Sequence, residues 1–257
     1  MRVGVFGAGG RMGSTVCEAV AGDPALELVA AVDPNRAGVE VCGVAVAAEA
    51  DAMTAAKAEV AVDFTAPSVV MGNLRWCAEN GVHAVVGTSG LSEDDLGQLR
   101  SWFTDGHDTP NCIVAPNFAI GAVLMIRFAE LAAPYFETAE IIELHHDGKV
   151  DAPSGTAVHT LERMAAASPE WGADPTTKTV VPGARGGEGP AGIRVHSVRL
   201  RGIVAHQEVL LGTTGQTLSI RHDSYDRTSF MPGVLLAVKA VADRPGLTVG
   251  LDAVLGL

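Results

Sequence analysis

The chain has 257 residues, 47% of them hydrophobic and 19% charged, with 30 Gly, 12 aromatic side chains (seven Phe, three Trp, two Tyr) and a formal net charge of −12. That length supports one large domain or two modest ones and buries a core without staples, and the composition excludes a disordered chain while fitting an Ala/Val/Gly-rich α/β protein. The negative charge argues against a general binder of nucleic acid or anionic membrane, either of which wants the opposite sign.

The predicted elements of the first half alternate short apolar strands with amphipathic helices: MRVGVFGA then RMGSTVCEAVAG, LELVAAVD, VAVDFT then SVVMGNLRWCAENG, HAVVGTSG then SEDDLGQLRSWF, and NCIVAPN. Such alternation implies right-handed βαβ units and a parallel sheet covered on both faces, with ligands at the carboxyl ends of its strands. After about residue 118 the pattern changes. A helix from Gly121 to about Pro134 leads into TAEIIELHH, a second helix begins near Ser154, and strands are expected around TKTVVP, IRVHSVRLR, HQEVLLGT and QTLSIRH, the last of them joined as hairpins. Gly183 to Gly192 reads as a mobile loop. A final helix runs from about Met231 to Val241. The expected fold is α/β: a Rossmann-type dinucleotide-binding domain (1–118 and 228–257) and a smaller α+β domain with a mixed or antiparallel sheet (119–227) for substrate binding and oligomerisation.

The mean hydropathy of +0.25 is high, yet a spanning helix needs roughly 18 or more uninterrupted apolar residues. Every apolar stretch here is broken sooner, as by Lys239, and no secretory signal is visible. A soluble, cytoplasmic protein is the expectation. Cys17, Cys42, Cys77 and Cys112 are widely spaced with no CxxC pair, so neither a disulfide scaffold nor a zinc site is expected, and the thiols read as reduced and mostly buried.

Two segments carry chemistry. GAGGRMG follows a strand and opens a helix, where glycines permit a tight turn and backbone amides can meet a pyrophosphate. The spacing that fits is Gly7, Gly10 and Gly13, with Met12 where the usual third glycine stands, and Asp33 follows Gly13 by 20 residues, at the distance of a ribose-binding carboxylate. Arg11 and Arg36 could instead neutralise a 2′-phosphate, so both NADH and NADPH are expected to bind. The second segment is HHDGKVDAPSGTA. Period two sends Ile141, Glu143 and His145 to one strand face and Ile142, Leu144 and His146 to the other, so both histidines reach one site only if the strand ends or bends there, and Asp147-Gly148 is a suitable breaking point. Lys149 adds a cation, and Ser154-Gly155-Thr156 starts a helix whose amides receive an anion. A cation and a helix start suit a carboxylate, and an adjacent imidazole can move a proton near neutral pH. His83, His107, His159, His196, His206 and His222 lack such company and read as surface or core residues.

The sequence resembles the 4-hydroxy-tetrahydrodipicolinate reductase family, nearly end to end. The resemblance rests on GAGGRMG, DFT (Asp63 to Thr65), GTSG (Gly87 to Gly90), APNF (Ala115 to Phe118), ELHHDGKVDAPSGTA (Glu143 to Ala157) and RHDSYDRTSF (Arg221 to Phe230). It implies His145 as acid/base, Lys149 as a second catalytic or carboxylate-binding cation, and His146, Ser154, Gly155 and Thr156 as substrate contacts. It implies that Gly7, Ala8, Gly9, Gly10, Arg11, Met12 and Asp33 hold NADH or NADPH, with Gly87, Thr88, Ser89, Ala115, Pro116, Asn117 and Phe118 near the nicotinamide. The family's basic residue directly after the ribose acid is replaced by Pro34, so Arg36 is a candidate only by proximity. The implied reaction, in diaminopimelate and lysine biosynthesis, is hydride transfer to a cyclic imine dicarboxylate, by a homotetramer without nucleic-acid or membrane partners. The competing readings are an aspartate- or homoserine-type dehydrogenase and a nonenzymatic NAD(P)-binding redox sensor.

Overall fold

Valine and alanine runs without polar alternation form the central strands of a parallel sheet, because both faces of such a strand are covered. The computed structural model describes residues 1–106 and 109–257, so His107 lies outside the described residues. The chain divides into two units, Met1–Ile120 with Arg227–Leu257, and Gly121–Asp226.

In the first unit, β1 (Arg2–Phe6) leads into α1 (Arg11–Gly22) and β2 (Glu27–Val32). A short hairpin, β3 (Glu40–Val41) and β4 (Val44–Ala47), precedes α2 (Asp51–Ala55). The alternation resumes with β5 (Val60–Asp63), α3 (Pro67–Glu79), β6 (His83–Val86), α4 (Glu93–Trp102) and β7 (Cys112–Val114). The hairpin was not foreseen from sequence. Its two-residue turn, Cys42-Gly43, has positive φ at both positions (50° and 81°), the backbone that joins twisted antiparallel strands tightly.

The second unit holds α5 (Ile120–Ala132), β8 (Thr138–His145), α6 (Gly155–Ala167), β9 (Gly187–Glu188), β10 (Arg194–Arg199), β11 (Ala205–Thr213) and β12 (Gln216–Ser224). Its sheet order is β12-β11-β8-β10-β9. One face packs on α5 and α6 through Ile141, Val195, Val209, Leu161 and Met164. The chain then returns to the first unit as α7 (Met231–Ala240), β13 (Leu247–Val249) and α8 (Leu251–Leu255). The first unit's sheet runs β13-β7-β6-β5-β1-β2-β4-β3, parallel except for the β3/β4 hairpin. Sequence moves outward from β1 in both directions, which places a topological switch point at the carboxyl end of β1.

Three expectations for the second unit are corrected. TKTVVP is not a strand: Val180 and Val181 are 83% and 63% exposed, and with no sheet to cover them their β propensity has nothing to pack against. The Gly183 to Gly192 segment is not simply a loop, because it contributes β9, which pairs antiparallel with β10 at Gly187↔Val195 and Glu188↔Arg194. Strands β10 and β11 are not hairpin partners. Strand β8 lies between them, parallel to β10 and antiparallel to β11, and only β11 and β12 form the expected hairpin.

Cys17, Cys77 and Cys112 are buried and Cys42 is exposed, and burial pushes the Cys17 thiol up to about 12. No helix among the described residues is long and apolar enough to cross a membrane.

The β1–α1 junction depends on close backbone approach. Gly7 has φ +70°, and a Cβ on Gly13 would lie 2.0 Å from the Gly7 carbonyl oxygen, a backbone atom that cannot swing aside. Gly13→Ala is expected to lower unfolding stability by about 1–3 kcal/mol in a denaturant titration and to weaken dinucleotide binding in parallel. An unchanged midpoint would show that the turn tolerates a side chain there.

Candidate active site

The carboxyl ends of the first unit's strands are organised by two carboxylates. Asp33, at the end of β2, is 9% exposed. Its Oδ2 accepts from the Gly9 N–H at 3.2 Å and its Oδ1 from the Asn35 N–H at 3.0 Å, which holds the glycine turn against the second strand. Gly10 stands at the N-cap of α1 and offers no side-chain cap, so the N–H groups of the first turn are presented to an anion. A cavity of about 460 Å³ opens beside this turn, lined by Gly7, Asp33, Asn35, Glu49, Phe64 and Thr65 among others. The positive φ at Gly7, the uncapped helix and the neighbouring carboxylate fit the pyrophosphate and ribose of a dinucleotide. Arg11 and Arg36 are exposed, and the Arg36 stem lies where a Cβ on Gly9 would fall.

Asp63 is the second carboxylate, 1% exposed at the end of β5. Its Oδ1 accepts from Thr65 N–H (2.9 Å), Thr65 Oγ1 (2.7 Å) and Thr88 Oγ1 (2.9 Å), and its Oδ2 from Asn73 Nδ2 (2.7 Å). One buried acid thereby fixes the DFT segment to Thr88, while Gly87 N–H donates to the Asp63 carbonyl at 2.9 Å. Ala115 N–H donates to the Val86 carbonyl at 3.0 Å, Asn117 Oδ1 accepts from Ala119 N–H at 2.8 Å, and the Phe118 ring lies 5.8 Å from that of Phe64. Gly87 to Ser89 and Ala115 to Phe118 thus follow the ends of neighbouring strands, β6 and β7.

In the second unit, β8 ends at His145, as the two-histidine argument requires. His146 is exposed beyond the strand, donating its N–H to the Val204 carbonyl at 3.4 Å. The His145 side chain is 16% exposed, and its Nδ1 lies 2.5 Å from Oε2 of Glu143, which is fully buried. Arg199 grips both Glu143 oxygens at 2.9 Å. It also donates to the Asp151 carbonyl at 2.6 Å, tying β10 to the segment that carries Lys149. Burial pushes the Glu143 carboxyl up, but hydrogen bonds from Arg199, Ser197 and His145 outweigh it and hold the group below its ordinary range. Burial lowers the His145 pKa, with Glu143 opposing the shift and the nearby Lys149 and Arg199 charges adding to it.

Lys149 Nζ donates to both Asp151 oxygens at 2.8 Å. Ser154 caps α6, its Oγ accepting from the Ala157 N–H at 3.2 Å, and Gly155 and Thr156 lie in the first helical turn. The arrangement offers a proton at His145, a cation at Lys149 and helix amides for a carboxylate. Sequence reasoning missed Glu143, Arg199 and Asp151 as parts of this cluster. The alternation of EIIELHH already put Glu143 on the His145 face, whereas Arg199 comes from a parallel pairing that no local pattern announces. Of the remaining histidines, His83 accepts from Asn111 N–H, His196 pairs with Glu140, and His206, largely buried, pairs with Asp223. A separate cavity of about 420 Å³ in this unit, bordered by Glu140, Trp171, Asp174 and Arg185, contains none of the His145 cluster.

Residues 1–118 match the family described as dihydrodipicolinate reductase, N-terminus, and residues 121–255 match dihydrodipicolinate reductase, C-terminus. The chain is 52% identical to the 4-hydroxy-tetrahydrodipicolinate reductase of Cutibacterium acnes over 260 residues, covering 100% of this chain and 99% of that one. It is 52% identical to that of Mycobacterium marinum over 258 residues, covering 100% of both. The solved structure of a dipicolinate-bound dihydrodipicolinate reductase from Paenisporosarcina sp. TG-14 superposes with a TM-score of 0.88 at 40% identity over 98% of each chain. The chain therefore belongs to the dihydrodipicolinate reductase family, NAD(P)H-dependent oxidoreductases that reduce 4-hydroxy-tetrahydrodipicolinate in the diaminopimelate route to lysine.

Proposed function

We propose that this chain performs that reduction with the first unit holding NADH or NADPH and the second holding the cyclic dicarboxylate. The observation that carries the residue assignment is the half-buried His145 imidazole, backed by a buried carboxylate and neighboured by Lys149. In this reading Gly7 to Met12 and Asp33 bind the pyrophosphate and adenosine ribose, Arg36 borders that ribose, and Gly87 to Ser89 and Ala115 to Phe118 frame the nicotinamide. Loss of the 4-hydroxyl as water gives the conjugated cyclic imine, and the cofactor, when bound, would supply a hydride to its C4. His145 delivers the proton that turns the resulting enamine back into an imine, directly or through a water. His146 and the Ser154, Gly155 and Thr156 turn hold a substrate carboxylate, and Lys149 offsets the charge of the dianion. Asp151 keeps the Lys149 ammonium in place until that anion arrives. What supports the assignment is agreement between the local chemistry of each residue and its position in the family's motifs.

We place this activity in the cytoplasm, in a homotetramer with no nucleic-acid or membrane partner. Residues Gln216 to Ser219 of the edge strand β12 are exposed, and an uncovered edge strand is a surface that self-association protects. Light scattering should return about four times 26.4 kDa, and a monomeric mass would overturn the assembly.

Mixing the protein with freshly condensed pyruvate and aspartate semialdehyde should oxidise NADH or NADPH, read at the nicotinamide absorbance band. Absence of oxidation with both cofactors rejects the activity. His145→Gln should lower kcat by roughly 10²- to 10⁴-fold with a smaller change in KM, while Lys149→Ala should raise KM as well. A His145 variant with wild-type turnover removes it from the proton-transfer role.

The pH dependence has a definite sign. A general acid works in its protonated form, so activity falls as pH rises through its pKa. Burial places the His145 pKa below 6.5 in the free protein, and the limb in kcat/KM should therefore lie below that value. A bound dianion stabilises the imidazolium, so the corresponding limb in kcat should lie at higher pH. Coincident limbs would contradict this placement of the substrate carboxylates.

A further inference from the structure

Glu143 is a fully buried acid on a strand whose neighbouring core position, Ile141, is apolar. Burying a carboxylate is unfavourable unless it is paired, and a structural purpose alone would be met by an apolar residue of similar volume. The pairing here is asymmetric. The Arg199 fork reaches Oε1 and Oε2 at 2.9 Å each, and His145 Nδ1 approaches Oε2 at 2.5 Å from two residues along the same strand face. With both oxygens accepting from a guanidinium, the carboxylate is an acceptor, so the nitrogen facing it must carry a proton.

We propose that Glu143 is a positioning residue for proton transfer: held ionised by Arg199, it keeps the proton of neutral His145 on Nδ1, leaving Nε2 as the nitrogen that gains and gives up the transferred proton. The inference rests on the reading of His145 as acid/base. The proton balance closes simply. Imidazolium carries N–H at both positions, Nε2–H passes its proton to the enamine carbon, and the neutral ring remains as the Nδ1–H tautomer against Glu143. The opposite tautomer would present a lone pair to the carboxylate, which is repulsive. The charged groups facing His145 are Glu143 on β8, Lys149 in the following turn and Arg199 on β10, and Glu143 alone among them favours the imidazolium. Without it, the imidazolium is opposed by burial and by two cations.

The experiment is ¹⁵N NMR of the histidine-labelled full-length protein, with His145 assigned by its loss in His145→Gln, combined with steady-state kinetics. In the wild type, neutral His145 should show the pyrrole-like shift at Nδ1 and the pyridine-like shift at Nε2. The reverse pattern, or an even mixture, overturns the proposal whether or not any variant folds. Glu143→Gln should lower kcat by roughly 10²-fold or more, move the His145 titration and the falling limb of kcat to lower pH, and admit the Nε2–H tautomer. KM should change less than kcat. Glu143→Asp, which keeps the charge, should restore part of the rate and of the titration. If Glu143→Gln loses rate with tautomer and pH limb unmoved, Glu143 is merely structural and the proposal fails. Full activity in His145→Gln would instead remove the acid/base reading, while the wild-type tautomer would still decide what Glu143 does to the ring.

Discussion

The second unit's chemistry depends on one buried charge. Glu143 is fully buried in the sheet, with Gln207 and Ser197 opposite it on the neighbouring strands, and its ionised form persists because Arg199 meets it in a two-pronged geometry that a lysine could not reproduce. Three elements converge on this pair. Strand β8 supplies the acid and the histidine, β10 supplies the arginine, and the segment after β8 supplies the Asp151 carbonyl that accepts from the same guanidinium. The direction of the His145 ring and the path of the chain toward Lys149 are consequences of how that charge is paired. Removing Arg199 strips the fully buried Glu143 of its cation, which costs several times what a surface pair contributes.

Asp63 plays the corresponding part in the first unit by a different route. It has four hydrogen bonds from neutral groups rather than a cation, drawn from its own loop, from α3 through Asn73 and from the loop after β6 through Thr88. Loops at the ends of parallel strands have no ladder to fix them, and a single acceptor with several converging donors supplies that order. The DFT and GTS segments are therefore one object, and the aromatic contact between Phe64 and Phe118 extends it to the segment after β7.

Much of the first unit is legible from sequence because its signals are local. The Val/Ala runs specify buried strands, and Gly7, Gly10, Gly13 and Asp33 mark the turn and its facing carboxylate. The hairpin escaped because its strands are two and four residues long, too short for periodicity to register. In the second unit the errors share one cause. TKTVVP has the composition of a strand but no sheet to join, Gly187-Glu188 has the composition of a loop but an open edge of β10 beside it, and Arg199 is aligned with His145 only because β10 runs parallel to β8. Pairings of this kind are decided by tertiary context rather than by propensity. At the site, His145, Lys149 and Ser154 were legible as residue types in a pattern, but the Glu143 charge state was not, since it depends on a guanidinium 56 residues away.

The charge with which the sequence begins now has a physical resolution. A chain carrying −12 nonetheless handles a dinucleotide and a dicarboxylate, and long-range attraction cannot be the reason. Fields from exposed acids are screened within about 8 Å at physiological ionic strength, so an anion close to the protein responds to what immediately surrounds it. The first turns of α1 and α6 present backbone N–H groups, which are fixed dipoles that no surface charge cancels. Lys149, in the turn after β8, is already matched by Asp151. On the site assignment proposed above, an arriving carboxylate exchanges one acid for another around that ammonium, and the α6 amides add an attraction that no acid already matches. On that assignment a dianion is favoured over a monoanion without a net positive protein.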